Sequence, residues 1–147
     1  MSTQAIVVLL LSGFSESFVV ETIKQVRQFG KRCQFAGLQT SVVTGELGLP
    51  VYPGIMIESL LERNDKQTVL IPPCPASHIQ LMTEPRLHRV FDHVTETNGL
   101  LLTAPSVAIA LSRVGLLANV ATPNYQIIQS AEMIIQHLKG RTRKDEG

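Results

Sequence analysis

Apolar runs alternate along this chain with stretches in which apolar residues return every three or four positions. Ala5–Leu11 (AIVVLLL) is continuous and branched, the pattern of a strand covered on both faces of a parallel sheet. Ser15 or Ser17 caps a predicted helix that runs to Phe29, with Val19, Ile23 and Val26 at helical spacing and Gly30 at the C′ position. Arg32–Ala36 reads as a second short strand with Cys33 and Phe35 on one face, which makes Cys33 a core residue. Val42–Pro53 carries Gly45, Gly48, Pro50 and Pro53 and reads as a loop or small hairpin. Ile57, Leu60 and Leu61 make one short helical face. Gln67–Ile71 is the third main strand, stopped by Pro72-Pro73-Cys74-Pro75.

The second half repeats the alternation. Ala76–Met82 suits a short helix, and Thr83 caps a longer one with Pro85 in its first turn. Leu87, Val90, Phe91 and Val94 follow at i, i+3, i+4 and i+7, and Asn98-Gly99 closes the helix. Leu100–Ala104 is the fourth strand, Ser106–Arg113 the next helix, and Gly115 its stop. Ala118–Thr122 is expected as a last short strand. Gln126–Leu138 is expected as a final helix, with Ile127, Ala131, Ile134 and Leu138 inward and Gly140 after it. This order predicts an α/β fold: a three-layer, doubly wound, mostly parallel sheet. Ligands bind such sheets at the carboxyl ends of the strands, at the switch in strand order. That directs attention to Ser12–Phe18, Pro72–His78, Pro105–Val107 and Pro123–Tyr125.

Composition narrows the classes. The chain's 147 residues suit one domain, expected over residues 1–140 with a polar tail over 141–147. Apolar residues are 44%, against disorder. Thirteen basic and twelve acidic side chains nearly cancel, and no basic stripe interleaves with aromatics, so nucleic acid is not an expected partner. The first apolar run is too short for a membrane span or a signal segment, and the protein is read as cytoplasmic, with no membrane partner. Two cysteines, Cys33 and Cys74, form no CxxC, and neither a metal nor a cofactor is signalled.

Several turns carry candidate chemistry. In Leu100–Ala108 (LLLTAPSVA) a buried strand passes into a helix, a junction that holds the nucleophile in many α/β enzymes. Here it holds Pro105, with no N–H and a φ fixed near −65°, beside Ser106. Ser106 as a nucleophile requires a base within reach; otherwise it bonds the backbone at the helix start. Of the four histidines, His88 and His93 flank an apolar face and are expected in solvent, and His137 suits the last turn of its helix as a cation. His78 alone is expected near the strand ends. Cys74 opens a predicted helix, where a thiolate is favoured, and His78 is four residues on, so the two define a candidate Cys/His pair. The Ser12–Ser15 turn is a candidate phosphate cradle with one glycine and no P-loop lysine. Tyr52 and Tyr125 are loop aromatics available to line a pocket, though half-buried packing accounts for them as well.

Three segments together resemble the ThiJ/PfpI superfamily, relatives of the class I glutamine amidotransferases. Ala5–Leu38 is similar to that family's opening strand, Gly13 turn, helix and Ala-Gly-Leu strand end. Val69–Gly99 resembles its proline-ended strand and two-part helical stretch. In Leu100–Leu117, Gly115-Leu116-Leu117 looks like the family's Gly-Leu-Leu after the elbow helix. The resemblance implies a flavodoxin-like or amidotransferase-like fold over nearly the whole chain.

It also implies where a site belongs, and each part is altered. Pro105, ten residues before Gly115, stands where the family keeps its nucleophilic cysteine. Phe18 stands near the acidic partner's place, and Pro72-Pro73-Cys74 replaces the Pro-Gly-Gly that supplies backbone donors. Ala118 to Tyr125 contains no histidine. The expected function is therefore a catalytically silent, regulatory or sensor domain, likened to relatives that are often homodimers, binding a small molecule or a protein. Ser12, Phe18, Pro73, Cys74, Pro105 and Ser106 are its expected ligand-binding residues. The alternatives are a cysteine-dependent enzyme or redox protein using Cys74 with His78 or Ser106, and a phosphate-binding module on Ser12–Ser15.

Overall fold

A computed structural model describes residues 5–39, 41–75, 84–117, 120 and 124–138. Six strands form one sheet: β1 (Ala5–Leu9), β2 (Arg32–Gly37), β5 (Ile55–Met56), β6 (Thr68–Ile71), β7 (Leu100–Thr103) and β8 (Tyr125–Ile127). Their order is β5-β2-β1-β6-β7-β8, and every pairing in this sheet is parallel. The chain moves from β1 outward to β2, then returns to β6 on the other side of β1. The switch in strand order thus falls between β1 and β6. β3 (Val43–Thr44) and β4 (Pro50–Val51) pair separately as the small antiparallel hairpin.

Alternation along the strands divides the core in two. Val7, Leu9, Val69, Ile71 and Leu101 face one way. There they meet Leu87, Val90 and Val94 of α2 (Arg86–Glu96), Val107 and Leu111 of α3 (Pro105–Arg113), and Leu60 of a 3-10 helix, Ile57–Glu62. Ile6, Val8, Leu70, Leu100 and Leu102 face the opposite way, against Val19 and Val26 of α1 (Glu16–Gln28) and Ile134 and Leu138 of the final helix, residues 132–138. Helices on both faces and fully buried central strands make the three-layer α/β fold read from the unbroken apolar runs.

Local signals set the element ends. Ser15 caps α1 by accepting from the Phe18 N–H at 3.3 Å, and Gly30 follows with φ +85°. Pro105 occupies N1 of α3, where its missing N–H leaves no helical bond unmade.

Four details differ from the sequence reading. Pro85 is the N-cap of α2, one position outside its first turn, and Thr83 lies outside the described residues. The last strand is Tyr125–Ile127 rather than Ala118–Thr122, where only Val120 is described and is not in a strand. Tyr125, Gln126 and Ile127 pair with Leu101, Leu102 and Thr103, as suits a tyrosine and the β-branched Ile127. The helical spacing from Ile127 to Ala131 spans a strand-to-helix joint. Accordingly Ile127 is 45% exposed, and Ile128 supplies the buried side chain. β5, two residues at the sheet edge, was not separable from the loop before it.

Candidate functional site

At the switch point, β1 ends in Leu10-Leu11-Ser12-Gly13 and β6 in Pro72-Pro73-Cys74. Gly13 turns the chain with φ +82°, a conformation glycine adopts without steric cost. The turn's donors are spent within the fold. Gly13 N–H donates to the Thr44 carbonyl at 2.8 Å, Phe14 N–H to Leu11 at 3.0 Å and Ser15 N–H to Pro73 at 3.0 Å. Three donors that a phosphate needs are thereby taken, and the turn ties β1, the hairpin and the β6 end together.

Cys74 lies in the same knot. It is 2% exposed, and its thiol donates to the Ser12 carbonyl at 2.8 Å. His78 lies outside the described residues. The second cysteine, Cys33, is half-buried against the α1 face of the sheet, and burial pushes its thiol up to about 11.

The strand-to-helix elbow after β7 is relaxed. Ala104, the N-cap of α3, has φ −70° and ψ 156°, the extended conformation favoured before proline. Its carbonyl accepts the Ala108 N–H at 3.0 Å as an ordinary helix start. Pro105 is half-buried and Ser106 exposed. Behind the elbow, the buried Thr103 hydroxyl and the Tyr125 phenol share a hydrogen bond of 2.8 Å, and burial pushes that phenol up. Of the two tyrosines expected in loops, Tyr125 instead opens β8, half-buried and packed against the core, whereas Tyr52 is 75% exposed.

The structure brings Ser12, Pro73 and Cys74 together. Phe18 stands one helical turn along α1 and packs half-buried into the core. The other histidines do little at the strand ends. His88 is exposed. His93, expected in solvent, is half-buried, with its Nε2 bonded to the Arg63 carbonyl. His137 is half-buried too, and desolvation holds its imidazole below the ordinary range rather than favouring the expected cation.

A cleft of about 160 Å³ opens at the carboxyl ends of β1 and β2. Leu10, Leu11, Leu38, Val42 and Val43 are its apolar lining, and Ser12, Gln39, Ser41 and Glu84 its polar members. Ser12 is the one expected ligand-binding residue among them. The cleft is thus displaced from Phe18, Cys74 and Pro105 toward the hairpin.

Two acidic residues missed in the sequence build this region. Glu16 is 6% exposed, and its carboxylate accepts the Leu47 N–H at 2.9 Å and the Leu49 N–H at 3.1 Å. Burial pushes this carboxyl up, but the backbone N–H groups of Leu49, Leu47, Glu16 and Glu46 outweigh it and hold it below the usual range. A side chain at Gly45 would overlap the Glu16 carboxylate, so glycine there lets the hairpin tip close around it. Glu46 N–H also donates to the Phe14 carbonyl at 2.9 Å. Val43, a wall of the cleft, is therefore fixed to α1 through the hairpin.

Glu84 forms a fork with Arg86. Arg86 donates from Nε to Glu84 Oε1 at 2.6 Å and from Nη2 to Oε2 at 2.7 Å. Nη1 donates to both oxygens of Glu58 at 2.9 and 2.8 Å, and Nη2 also to the Leu38 carbonyl at 2.5 Å. All five guanidinium donors are engaged. The Arg86 bonds hold the Glu84 carboxyl below its usual range against burial, and Glu84 and Glu58 push the guanidinium up. Acidic residues at a helix start read as capping charges. Nothing local in the sequence signals that Glu16 meets Leu47, 31 positions on, or that Arg86 meets Glu58 and Leu38, 28 and 48 positions back.

Among the described residues, no group of three or more His, Cys, Asp or Glu is placed to hold a metal ion. No helix among them is long and apolar enough to cross a membrane.

The six-stranded parallel sheet, its strand order and the helices on both its faces define an α/β protein with the DJ-1/ThiJ/PfpI fold. The solved structures carry this statement. The structure of Toxoplasma gondii DJ-1, oxidized, is similar with a TM-score of 0.71 at 16% identity, over 97% of this chain and 92% of that one. A putative protease I from Bacteroides thetaiotaomicron is similar with a TM-score of 0.69 at 13% identity, over 96% and 98%. Drosophila melanogaster DJ-1beta is similar with a TM-score of 0.66 at 15% identity, over 86% and 74%. No protein-family model matches the sequence, and no curated protein matches it. The flavodoxin-like fold implied by the sequence resemblance is thus present.

Proposed function

We propose that this chain is a divergent, catalytically silent member of the ThiJ/PfpI superfamily that acts by binding a small molecule or a protein, in a regulatory or sensor role. The observation that carries the reading is Pro105 at N1 of α3 behind an extended Ala104. A nucleophile elbow requires a reactive side chain on a strained turn and nearby N–H donors for the oxyanion. Pro105 offers no nucleophile and no N–H, and it excludes a positive φ. One structural neighbour is a putative protease. Peptide hydrolysis is set aside for this chain on those grounds. The cysteine-enzyme alternative is disfavoured because the Cys74 thiol is buried and already donates to Ser12. The phosphate alternative is disfavoured because the Gly13, Phe14 and Ser15 N–H groups are engaged.

The domain is proposed to span residues 1–140, to work in the cytoplasm, and to form a homodimer. Support for an interface comes from exposed apolar side chains on the hairpin and α1: Leu47 at 80%, Tyr52 at 75% and Val20 at 59%. The test is a thermal-shift screen of a metabolite panel, run beside fluorogenic peptide hydrolysis and light scattering. A ligand that raises the midpoint, with no turnover, is expected. Turnover that survives Cys74→Ser but is lost in Ser106→Ala would overturn the silent reading, because Ser106 would then be the nucleophile. A monomer indifferent to Leu47→Glu would remove the homodimer.

A further inference from the structure

The cleft at the ends of β1 and β2 has a definite chemical bias. Its lining is mixed: the half-buried Leu38 and Val43 offer apolar walls to a short alkyl chain, over a floor closed by the buried Leu10, beside the polar Ser12, Gln39 and Ser41. Among the described residues, the full charge lining it is the Glu84 carboxylate, whose side chain is 14% exposed. Arg86, the cation behind that carboxylate, cannot receive an anion, because its donors are committed to Glu84, Glu58 and the Leu38 carbonyl. Two carboxylates against one guanidinium leave the Glu58–Arg86–Glu84 cluster with an excess negative charge. Glu84 retains acceptor capacity as well. Among the described residues, Oε1 takes the Arg86 N–H and Nε, whereas Oε2 takes Nη2 alone, and a carboxylate offers about four acceptor sites. Size sets the last limit: a cavity of about 150 Å³ holds a ligand the size of benzene, and this one is about 160 Å³.

We propose that this cleft binds a small aliphatic ammonium ion, its alkyl chain against Leu38 and Val43 and its N–H groups donating to Glu84. The inference rests on the reading of the domain as a binder of small molecules, and adds the class of ligand. Glu16 serves it as a positioning residue, since it fastens the hairpin that carries Val43.

The test is a two-dimensional amide NMR titration with n-butylammonium chloride, sodium butyrate and 1-butanol, on the wild-type chain, Glu84→Gln and Ser12→Leu. Saturable shifts at Ser12, Gln39, Val43 and Glu84 are expected with the ammonium ion, and binding at least about tenfold weaker with 1-butanol, as loss of a charge-assisted hydrogen bond implies. Glu84→Gln should weaken the ammonium ion by a similar factor while its dispersed spectrum reports an intact fold. Ser12→Leu narrows the cleft without touching the Arg86 pairs and should also reduce binding. Butyrate or butanol binding as tightly as the ammonium ion, or Glu84→Gln binding unchanged, overturns the cationic class and leaves the small-molecule reading standing. Absence of saturable shifts with all three probes overturns the cleft as a site. The metabolite screen then decides the broader reading on its own.

Discussion

Replacing Pro105 by alanine and by glycine tells a relaxed elbow from a strained one. At a position whose backbone proline already fits, proline stabilises the fold by about 0.4–1 kcal/mol, mainly by restricting the unfolded chain. Ala104, extended at φ −70° and ψ 156°, is compatible with a following proline, so no native strain offsets that contribution. The N–H that alanine restores lies at N1 beside an exposed Ser106 and can be met by water. Pro105→Ala should therefore cost about 0.4–1 kcal/mol. Pro105→Gly should cost a further 0.5–1 or so, because glycine frees the unfolded backbone still more. For a chain of this size that corresponds to a midpoint about 1–3 °C lower for alanine and about 3–6 °C lower for glycine. Urea denaturation with an unchanged m-value is the assay. The expected order of stability is proline, alanine, glycine. Glycine as the most stable of the three would mean a backbone near positive φ at this position, and the argument for a silent elbow would fail.

Further outcomes follow from the two carboxylates. Glu16→Gln should speed amide exchange at Leu47 and Leu49 while the amides of β1 and β6 keep their protection, as read by hydrogen exchange; uniform loss would mean the latch is not local. Both Glu16 and Glu84 have carboxyls held below their ordinary value of 4.5. A carboxyl depressed in the folded state contributes stability above its unfolded pKa and loses it as pH falls through the folded one. Stability should thus begin to fall as pH drops past about 4.5, and Glu16→Gln and Glu84→Gln should each flatten that fall in acid denaturation curves. An acid limb of equal slope in all three proteins would contradict the pairing.

The central sheet was legible because its strands are buried on both faces and so read as unbroken apolar runs: Ala5–Leu11, Gln67–Ile71 and Leu100–Ala104. Capping chemistry placed α1 and α3 closely, through Ser15, Gly30 and Pro105. Edges read less well. β5 has two residues, and β8 took its strand from Tyr125–Ile127 inside a stretch with helical spacing. Candidate chemistry was sought in the residues that usually react, and Cys74 proved to be a buried donor within the β1–β6 knot. The residues that shape the cleft were missed for a physical reason. Glu16, Glu58, Glu84 and Arg86 look like solvated charges until the fold brings the hairpin and the β2 end against them.

The most direct test of the silent reading is the rate at which Cys74 is alkylated in the native Cys33→Ser variant, followed by intact mass from mildly acid to mildly alkaline buffer. The thiol is 2% exposed and donates to the Ser12 carbonyl, so the account predicts slow labelling, limited by opening of the fold and released by urea. Rapid labelling in the native protein would contradict it and restore Cys74 as a candidate nucleophile.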